Sequence, residues 1–248
     1  MSDWPTIERL LAKRATPVDL WIRDDDAGDD HPALARLLNL AMRSEVPIAL
    51  AVVPAWLTNK GIKRIDFCPF ATVMQHGWAH EDHSGGQGKR AELGGQLDPF
   101  KASEQLTTGC GRLAEAFGEM FQPVLVPPWN RIDAIIAEQL PSCGLVGLST
   151  FGPRHHKAVI SGVHRINTHV DLIDWRGARG FVGEARALQA LADALVHNAE
   201  HPEPIGMLTH HRDMDEPAWA FLEMIMLRLA QNPSVRFRAP ARLFGERA

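Results

Sequence analysis

The chain has 248 residues, 45% of them hydrophobic and 23% charged, with a net charge of −4. This is the make-up of a globular protein long enough to bury a substantial core. The acidic balance and the lack of any Lys/Arg block exclude a nucleic-acid surface, and no apolar run approaches the roughly 20 residues that span a bilayer. The charged start, Met1 to Arg14, has no signal-peptide core, and Cys68, Cys110 and Cys143 are scattered, as expected of reduced thiols. A cytoplasmic protein is expected. It contains no tyrosine, so no tyrosine can act as an acid or oxyanion donor.

Residues 5–14 read as a short outer helix, and the run Val18 to Ile22 as a buried strand feeding Arg23-Asp24-Asp25-Asp26. Gly28 to Pro32 is a turn and helix cap, since proline suits the first helical position; Ala33 to Arg43 then has helical spacing. Pro47 to Pro54 is a continuous apolar run, the mark of a strand covered on both faces. Residues 71–76 give a strand ending in His76-Gly77-Trp78-Ala79-His80. Glu81 to Leu97, rich in glycine and charge, is expected to be a surface loop, and 98–121 a helix interrupted near Thr108 to Gly111.

Val124 to Val126 is a short strand closed by Pro127-Pro128-Trp129-Asn130. Residues 132–140 form a helix, 145–150 a strand, and 164–175 an extended segment ending in Asp171-Leu172-Ile173-Asp174-Trp175. Glu184 to His197 is an amphipathic helix, Ile205 to His210 a strand, Glu216 to Ala230 a helix, and Val235 to Phe237 a closing strand. Strands and helices alternate throughout 1–248 with no break in composition, which predicts one domain with parallel strands, in a barrel or a doubly wound sheet. Asp25, His76, Trp129, Asp174 and His210 all fall just past different strand ends. A closed (β/α) barrel brings those ends to one mouth, so the barrel is preferred.

Two stretches carry chemistry. His76 and His80, four residues apart on a helical or turn segment, fall on one side and can share an ion. Three adjacent carboxylates at the mouth of a buried strand are costly unless a cation, a proton or solvent compensates them. Two histidines and an aspartate with open positions for water form a set that activates hydroxide. Together they read as a metal hydrolase.

From about residue 18 to 212 the motifs resemble, in order, those of the polysaccharide deacetylases, the NodB-type metal-dependent carbohydrate esterases. That family's first motif ends a strand with two aspartates, matched by Asp25 and Asp26. Asp24 stands where the family has an apolar or aromatic residue, which leaves a register one residue earlier open. The second motif is matched by His76 and His80, with Gly77 in place of the usual Ser or Thr. Val126-Pro127-Pro128-Trp129 matches the third but lacks its arginine, whose task of holding the catalytic aspartate then falls to another residue, Arg23 or Arg131. Asp171 to Trp175 matches the fourth motif and Leu208-Thr209-His210 the fifth.

The resemblance implies a distorted seven-stranded (β/α) barrel and one divalent ion, usually zinc, with cobalt or nickel as alternatives. Asp26, His76 and His80 would bind it, and Asp25 would be the catalytic base. His210 would protonate the leaving amine, with Asp174 holding it charged. A backbone N–H near Trp129 would receive the oxyanion, with Pro128 and Trp175 also facing substrate. His211 stays open as an alternative to His210, because strand alternation sends the two to opposite faces; Asp171 stays open as an alternative to Asp174. His83 is read as a loop residue.

The implied activity is removal of an acetyl group from an N- or O-acetylated sugar or sugar-containing metabolite. Hydrolysis of a cyclic imide or ureide and a non-catalytic metal-binding barrel are the alternatives. A saccharide or other small molecule is the expected partner, with no nucleic acid or membrane, and a homo-oligomer is left open.

Overall fold

The computed structural model describes residues 2–86, 88–153, 160–177 and 179–245. Its first half holds α1 (Trp4–Ala12), β1 (Val18–Ala27), α2 (Pro32–Ser44), β2 (Ile48–Val52), α3 (Asn59–Asp66), β3 (Ala71–His76), α4 (Pro99–Phe117) and β4 (Phe121–Val126). There follow α5 (Ala134–Ala137), β5 (Gly147–Leu148), β6 (His164–Arg165), β7 (Val170–Asp171), α6 (Glu184–Glu200) and β8 (Ile205–Thr209). The last elements are α7 (Glu216–Ala230), β9 (Val235–Phe237) and α8 (Pro240–Phe244).

The strands pair in parallel in the order β6-β5-β4-β3-β2-β1-β8-β7, with β9 beside the start of β1. One extended segment draws the two edges together. Ile166 and Thr168 donate N–H groups to Leu148 and Thr150 on the β5 side, whereas His169 and Leu172 donate to Gly206 and Leu208 of β8. β6 and β7 are therefore two halves of one stave, and the sheet curls into a distorted (β/α) barrel of seven staves.

Side-chain alternation along the strands sets the layers. Trp21, Ala49, Ala51, Met74, Val124, Val126 and Ile166 fill the lumen with Phe244 of α8, whose ring meets Trp21 edge-on at 6.1 Å. Leu20, Ile22, Ile48, Leu50 and Val52 face outward, under Leu34 and Leu37 of α2, Leu188 and Leu191 of α6, and Leu222 and Ile225 of α7. Each such fully buried side chain contributes about 1.5–3 kcal/mol. α4, α5 and the loop before α4 cover β4 and β5 with a separate apolar cluster around Leu106, Leu125 and Leu148. Among the described residues no helix is long and apolar enough to cross a membrane.

Three expectations change. α4 runs through Gly109 and Gly111 without a break. Gly109 faces β3, and a Cβ there would meet the Gln75 side chain and Pro54; the glycine permits close packing instead of ending the helix. α3 and α8 were not legible, being short and holding only two or three large apolar residues each. The stretch 81–97 is not wholly a surface loop, because Glu92 and Leu93 are buried within it.

Candidate active site

The aspartates end β1 on a bulge. Asp24 pairs with Leu50 and Ala27 with Val52, so β1 spends one extra residue there, and Asp26 has a left-handed backbone (φ 71°). Regular alternation would send Asp26 outward with Asp24. The bulge turns it inward, so that Asp25 and Asp26 both reach the mouth and Asp24 does not.

His76 ends β3. The residues from Gly77 to His80 form an irregular turn rather than a helix, with Gly77 (φ 54°) and His80 (φ 60°) left-handed. The buried Glu92 carboxylate closes this turn by accepting the N–H groups of Trp78, Ala79 (2.7 Å) and His80 (2.9 Å). Gly77 is required here, since a Cβ would collide with Glu92 and with Pro128. Nothing in the glycine- and charge-rich stretch marked Glu92 as the organiser of the histidine pair.

The second histidine is brought in by this turn, and its ring lies between the indoles of Trp56 (5.6 Å) and Trp129 (4.4 Å). His76 Nδ1 lies 2.8 Å from the Val126 carbonyl. A carbonyl only accepts, so Nδ1 carries the proton and Nε2 presents its lone pair, as orienting partners of metal-binding histidines usually arrange. That Nε2 lies 3.2 Å from Asp26 Oδ1, and His80 Nε2 lies 3.3 Å from the same oxygen. Asp26 Oδ1 is buried and receives no hydrogen bond.

Three ligand atoms thus converge within 4.8 Å of one another. Two ligands about 2.0–2.1 Å from a tetrahedral ion sit roughly 3.4 Å apart. The donor set, the orphaned oxygen and the spacing fit one divalent cation. Burial alone would raise the Asp26 carboxyl, but His76 above all, with His210 and His80, holds it well below the usual carboxylate range. Burial disfavours charge on His76, yet Asp26 and Asp25 raise its pKa overall, while burial and His76 lower that of His80.

Asp25 is gripped by Arg23, two residues earlier on the same strand face. The guanidinium donates to both its oxygens (2.8 and 3.0 Å), and further to Ser149 Oγ (2.8 Å) and Asn130 Oδ1 (2.7 Å). Both residues are buried. Of the two arginines proposed to replace the missing third-motif arginine, Arg23 holds the aspartate; Arg131 instead donates to the Arg90 carbonyl. An arginine directly after the apolar run Leu20-Trp21-Ile22 was the available signal.

Across the mouth, His210 Nε2 lies 3.9 Å from Asp25 Oδ2, and its Nδ1 is buried without a partner. The Trp175 ring meets it edge-on at 4.6 Å. His211 points the other way, with Nδ1 2.5 Å from Asp24 Oδ1. Asp174 is not brought to His210: it faces solvent, where Arg186 (2.8 Å) and the N–H groups of Arg176 and Gly177 hold its carboxylate. Asp171 lies on the His210 side instead, accepting Trp175 Nε1–H (2.9 Å) and the Ile173 N–H. Burial raises its pKa, partly offset by His210.

Trp129 has a left-handed backbone (φ 54°), as does Asn130 (φ 57°). This is a costly conformation for a bulky residue, and such strain clusters at functional sites. With Asp25, Asp26, His76, His80, His210, Asp171 and Trp175, Trp129 lines a cavity of about 1110 Å³; Pro128 sits behind it, against Gly77. His83 is outside this lining, its Nδ1 on the Glu92 carbonyl.

No family model and no curated protein sequence matches the chain. Its structure is similar to that of a protein described as a polysaccharide deacetylase from Mycobacterium smegmatis. The two share 15% identity over 94% of this chain and 90% of the other, at a TM-score of 0.68. The chain has the polysaccharide deacetylase fold. A family 4 acetyl xylan esterase from Clostridium thermocellum, solved with a cobalt ion, is 13% identical over 91% of this chain and 90% of its own, with a TM-score of 0.57. A CE4-family pseudoenzyme from Bacillus anthracis is 14% identical over 94% of this chain and 66% of its own, also at 0.57. Active and inactive proteins share this deacetylase fold, so function must be argued from the site.

Proposed function

We propose that the protein is a metal-dependent hydrolase that removes an acetyl group from an N- or O-acetylated sugar or sugar-containing metabolite. One observation carries this reading. Asp26 Oδ1 and the Nε2 atoms of two histidines converge on one point, with an arginine-anchored carboxylate and an imidazole facing it across one open mouth.

A divalent ion held by Asp26, His76 and His80, with zinc preferred over cobalt or nickel, supplies Lewis acidity and lowers the pKa of water toward about 7. Asp25 takes the proton from the attacking water, and the two-pronged grip of Arg23 fixes the direction in which its oxygens face. The Trp129 N–H, held in place by the left-handed turn, donates to the oxygen that gains charge as the carbonyl carbon becomes tetrahedral. His210 protonates the departing nitrogen, without which an amine leaves very poorly. Asp171, rather than Asp174, is the carboxylate beside that imidazole, and Trp175 packs on the ring while tying Asp171 down. The indoles of Trp129 and Trp175 on either side of the mouth suit the apolar faces of a sugar ring.

The pseudoenzyme neighbour makes a non-catalytic barrel the second reading, but a purely binding protein has no use for a buried Arg23–Asp25 pair aimed at His210. Acetate release from N-acetylglucosamine and its oligomers, with and without a chelator, is the test, and ring opening of small cyclic imides is the competing assay. Chelator-sensitive acetate release is expected. Imide hydrolysis without acetate release would replace the substrate class, and inactivity on both with metal bound would favour the binding role.

A further inference from the structure

We propose that a second cavity, adjoining the mouth, is a subsite for a phosphoryl group carried by the substrate away from its acetyl group. The cavity measures about 490 Å³ and shares Lys89, Asn130 and Arg131 with the mouth, while Thr150 and Arg165 form its far wall. The proposal rests on the deacetylase reading of the mouth and specifies its substrate.

Among the described residues of this acidic chain, nine arginines pair with a carboxylate. Of the described arginines without a salt bridge, Arg90, Arg131, Arg165, Arg176 and Arg179 line one or other of the two cavities, whereas Arg9, Arg14 and Arg112 lie elsewhere and donate to backbone carbonyls. Arg165 is the most telling. It ends β6, is half-buried, and its Nε is enclosed with no hydrogen-bond partner. Burial lowers its pKa with no carboxylate to offset the effect. A desolvated guanidinium without a counter-charge is costly unless an anion joins it.

Arg131 stands on the same cavity with only the Arg90 carbonyl as partner, and Lys89 adds a third cation, against the single carboxylate of Asp133. Arginine forks and a lysine point charge are the groups that bind phosphate oxygens, whereas the Thr150 and Ser84 hydroxyls on the wall already donate to Asn167 and Asp82. Asn130 joins the two halves. It lines both cavities and accepts from the Arg23 that holds Asp25, so occupancy of the subsite is relayed to the groups that react.

The test is calorimetric binding of N-acetylglucosamine 6-phosphate, N-acetylglucosamine 1-phosphate, N-acetylglucosamine and inorganic phosphate to the purified protein. Parallel titrations use Arg165→Gln, Arg131→Gln, Lys89→Gln and Arg165→Lys. At least one sugar phosphate is expected to bind about tenfold or more tighter than the neutral sugar, the worth of a charge-assisted hydrogen bond. Arg165→Gln and Arg131→Gln should each remove about tenfold of that gain with neutral-sugar binding unchanged, Lys89→Gln less, and Arg165→Lys should restore part of it.

Equal affinity for phosphorylated and neutral sugars would overturn the proposal. So would phosphate binding that survives both arginine substitutions, since the anion would then sit on the metal cluster. Inorganic phosphate binding as tightly as the sugar phosphates would also overturn it, by showing a free-phosphate site. Acetate release separates the two claims: sugar-phosphate binding lost in the arginine variants but with no acetate released keeps the subsite and sinks the deacetylase reading, whereas acetate released equally from both sugars does the reverse.

Discussion

Two histidine–aspartate pairs join the ends of β1 and β8 one residue apart and face opposite ways. The outer pair, Asp24 and His211, is closed on itself. Asp24 takes the His211 ring at 2.5 Å, the His211 N–H at 2.9 Å and the Thr209 hydroxyl at 2.7 Å, and both residues are fully buried beneath the helices. The inner pair, Asp25 and His210, is 3.9 Å apart and opens onto the cavity, with Asp25 held by Arg23 and His210 Nδ1 left without a partner. The same residue types on the same two strands do different work because alternation and the bulge at Asp26 direct them to different layers. Each histidine keeps one buried ring nitrogen without a partner, so the difference lies between the aspartates and in access: Asp24 is bonded to His211 and sealed from the cavity, whereas Asp25 and His210 stay apart and open onto it.

The largest expected effects fall on the inner pair. Asp25→Asn should cut kcat by about 10²–10⁴-fold with metal content unchanged, measured on protein shown to be folded because Arg23 loses its counter-charge. His210→Ala should cost a similar factor, on the order of 10²–10⁴, with an amide substrate and much less with an activated ester, whose leaving group needs no proton. Equal losses on both substrates would remove His210 from the acid role.

The outer pair should answer in stability instead. Removing one partner of a buried pair costs about 3–5 kcal/mol. His211→Ala should therefore lower Tm by roughly 6–20 °C while the folded fraction keeps its amide-to-ester ratio. An amide-selective loss in His211→Ala would exchange the roles of the two neighbours.

The smallest effects separate the two fourth-motif carboxylates. The folded pKa of Asp171 is raised above its ordinary 3.8, chiefly by burial. The native state then holds that proton more tightly than the unfolded chain does, and stability falls as pH rises through the window above 3.8. Asp171→Asn removes this dependence, so its Tm relative to wild type should rise as pH climbs above 3.8, while its kcat on amides falls. Asp174→Ala should leave kcat unchanged. A loss of turnover confined to Asp174→Ala would restore the original assignment.

The sequence announced the frame through its apolar runs: β1 to β4 and β8 were each visible as buried strands, and the polar residues past their ends identified the mouth. His76 and His80 were legible by spacing, although a turn rather than a helix brings them together. The bulge was not, because nothing in Asp24-Asp25-Asp26 distinguishes a strand that alternates regularly from one that spends an extra residue. Asp171 and Asp174 both follow an extended segment and flank the same tryptophan. Only the fold shows that Arg186 on α6 claims Asp174 while Trp175 reaches back to Asp171. Glu92 was hidden for a different reason. Its role lies in backbone N–H groups twelve to fourteen residues earlier, a contact made by tertiary structure alone.

The bulge decides which aspartate faces the ion, and metal content per chain in Asp24→Asn, Asp25→Asn and Asp26→Asn measures it most directly, with His76→Ala as the reference for loss. About one equivalent of a divalent first-row metal is expected in the wild type, in folded Asp24→Asn and in Asp25→Asn, with most of it gone from Asp26→Asn and His76→Ala. Full retention in Asp26→Asn, or loss in Asp24→Asn instead, would contradict the bulged register on which the division between the two histidine–aspartate pairs depends.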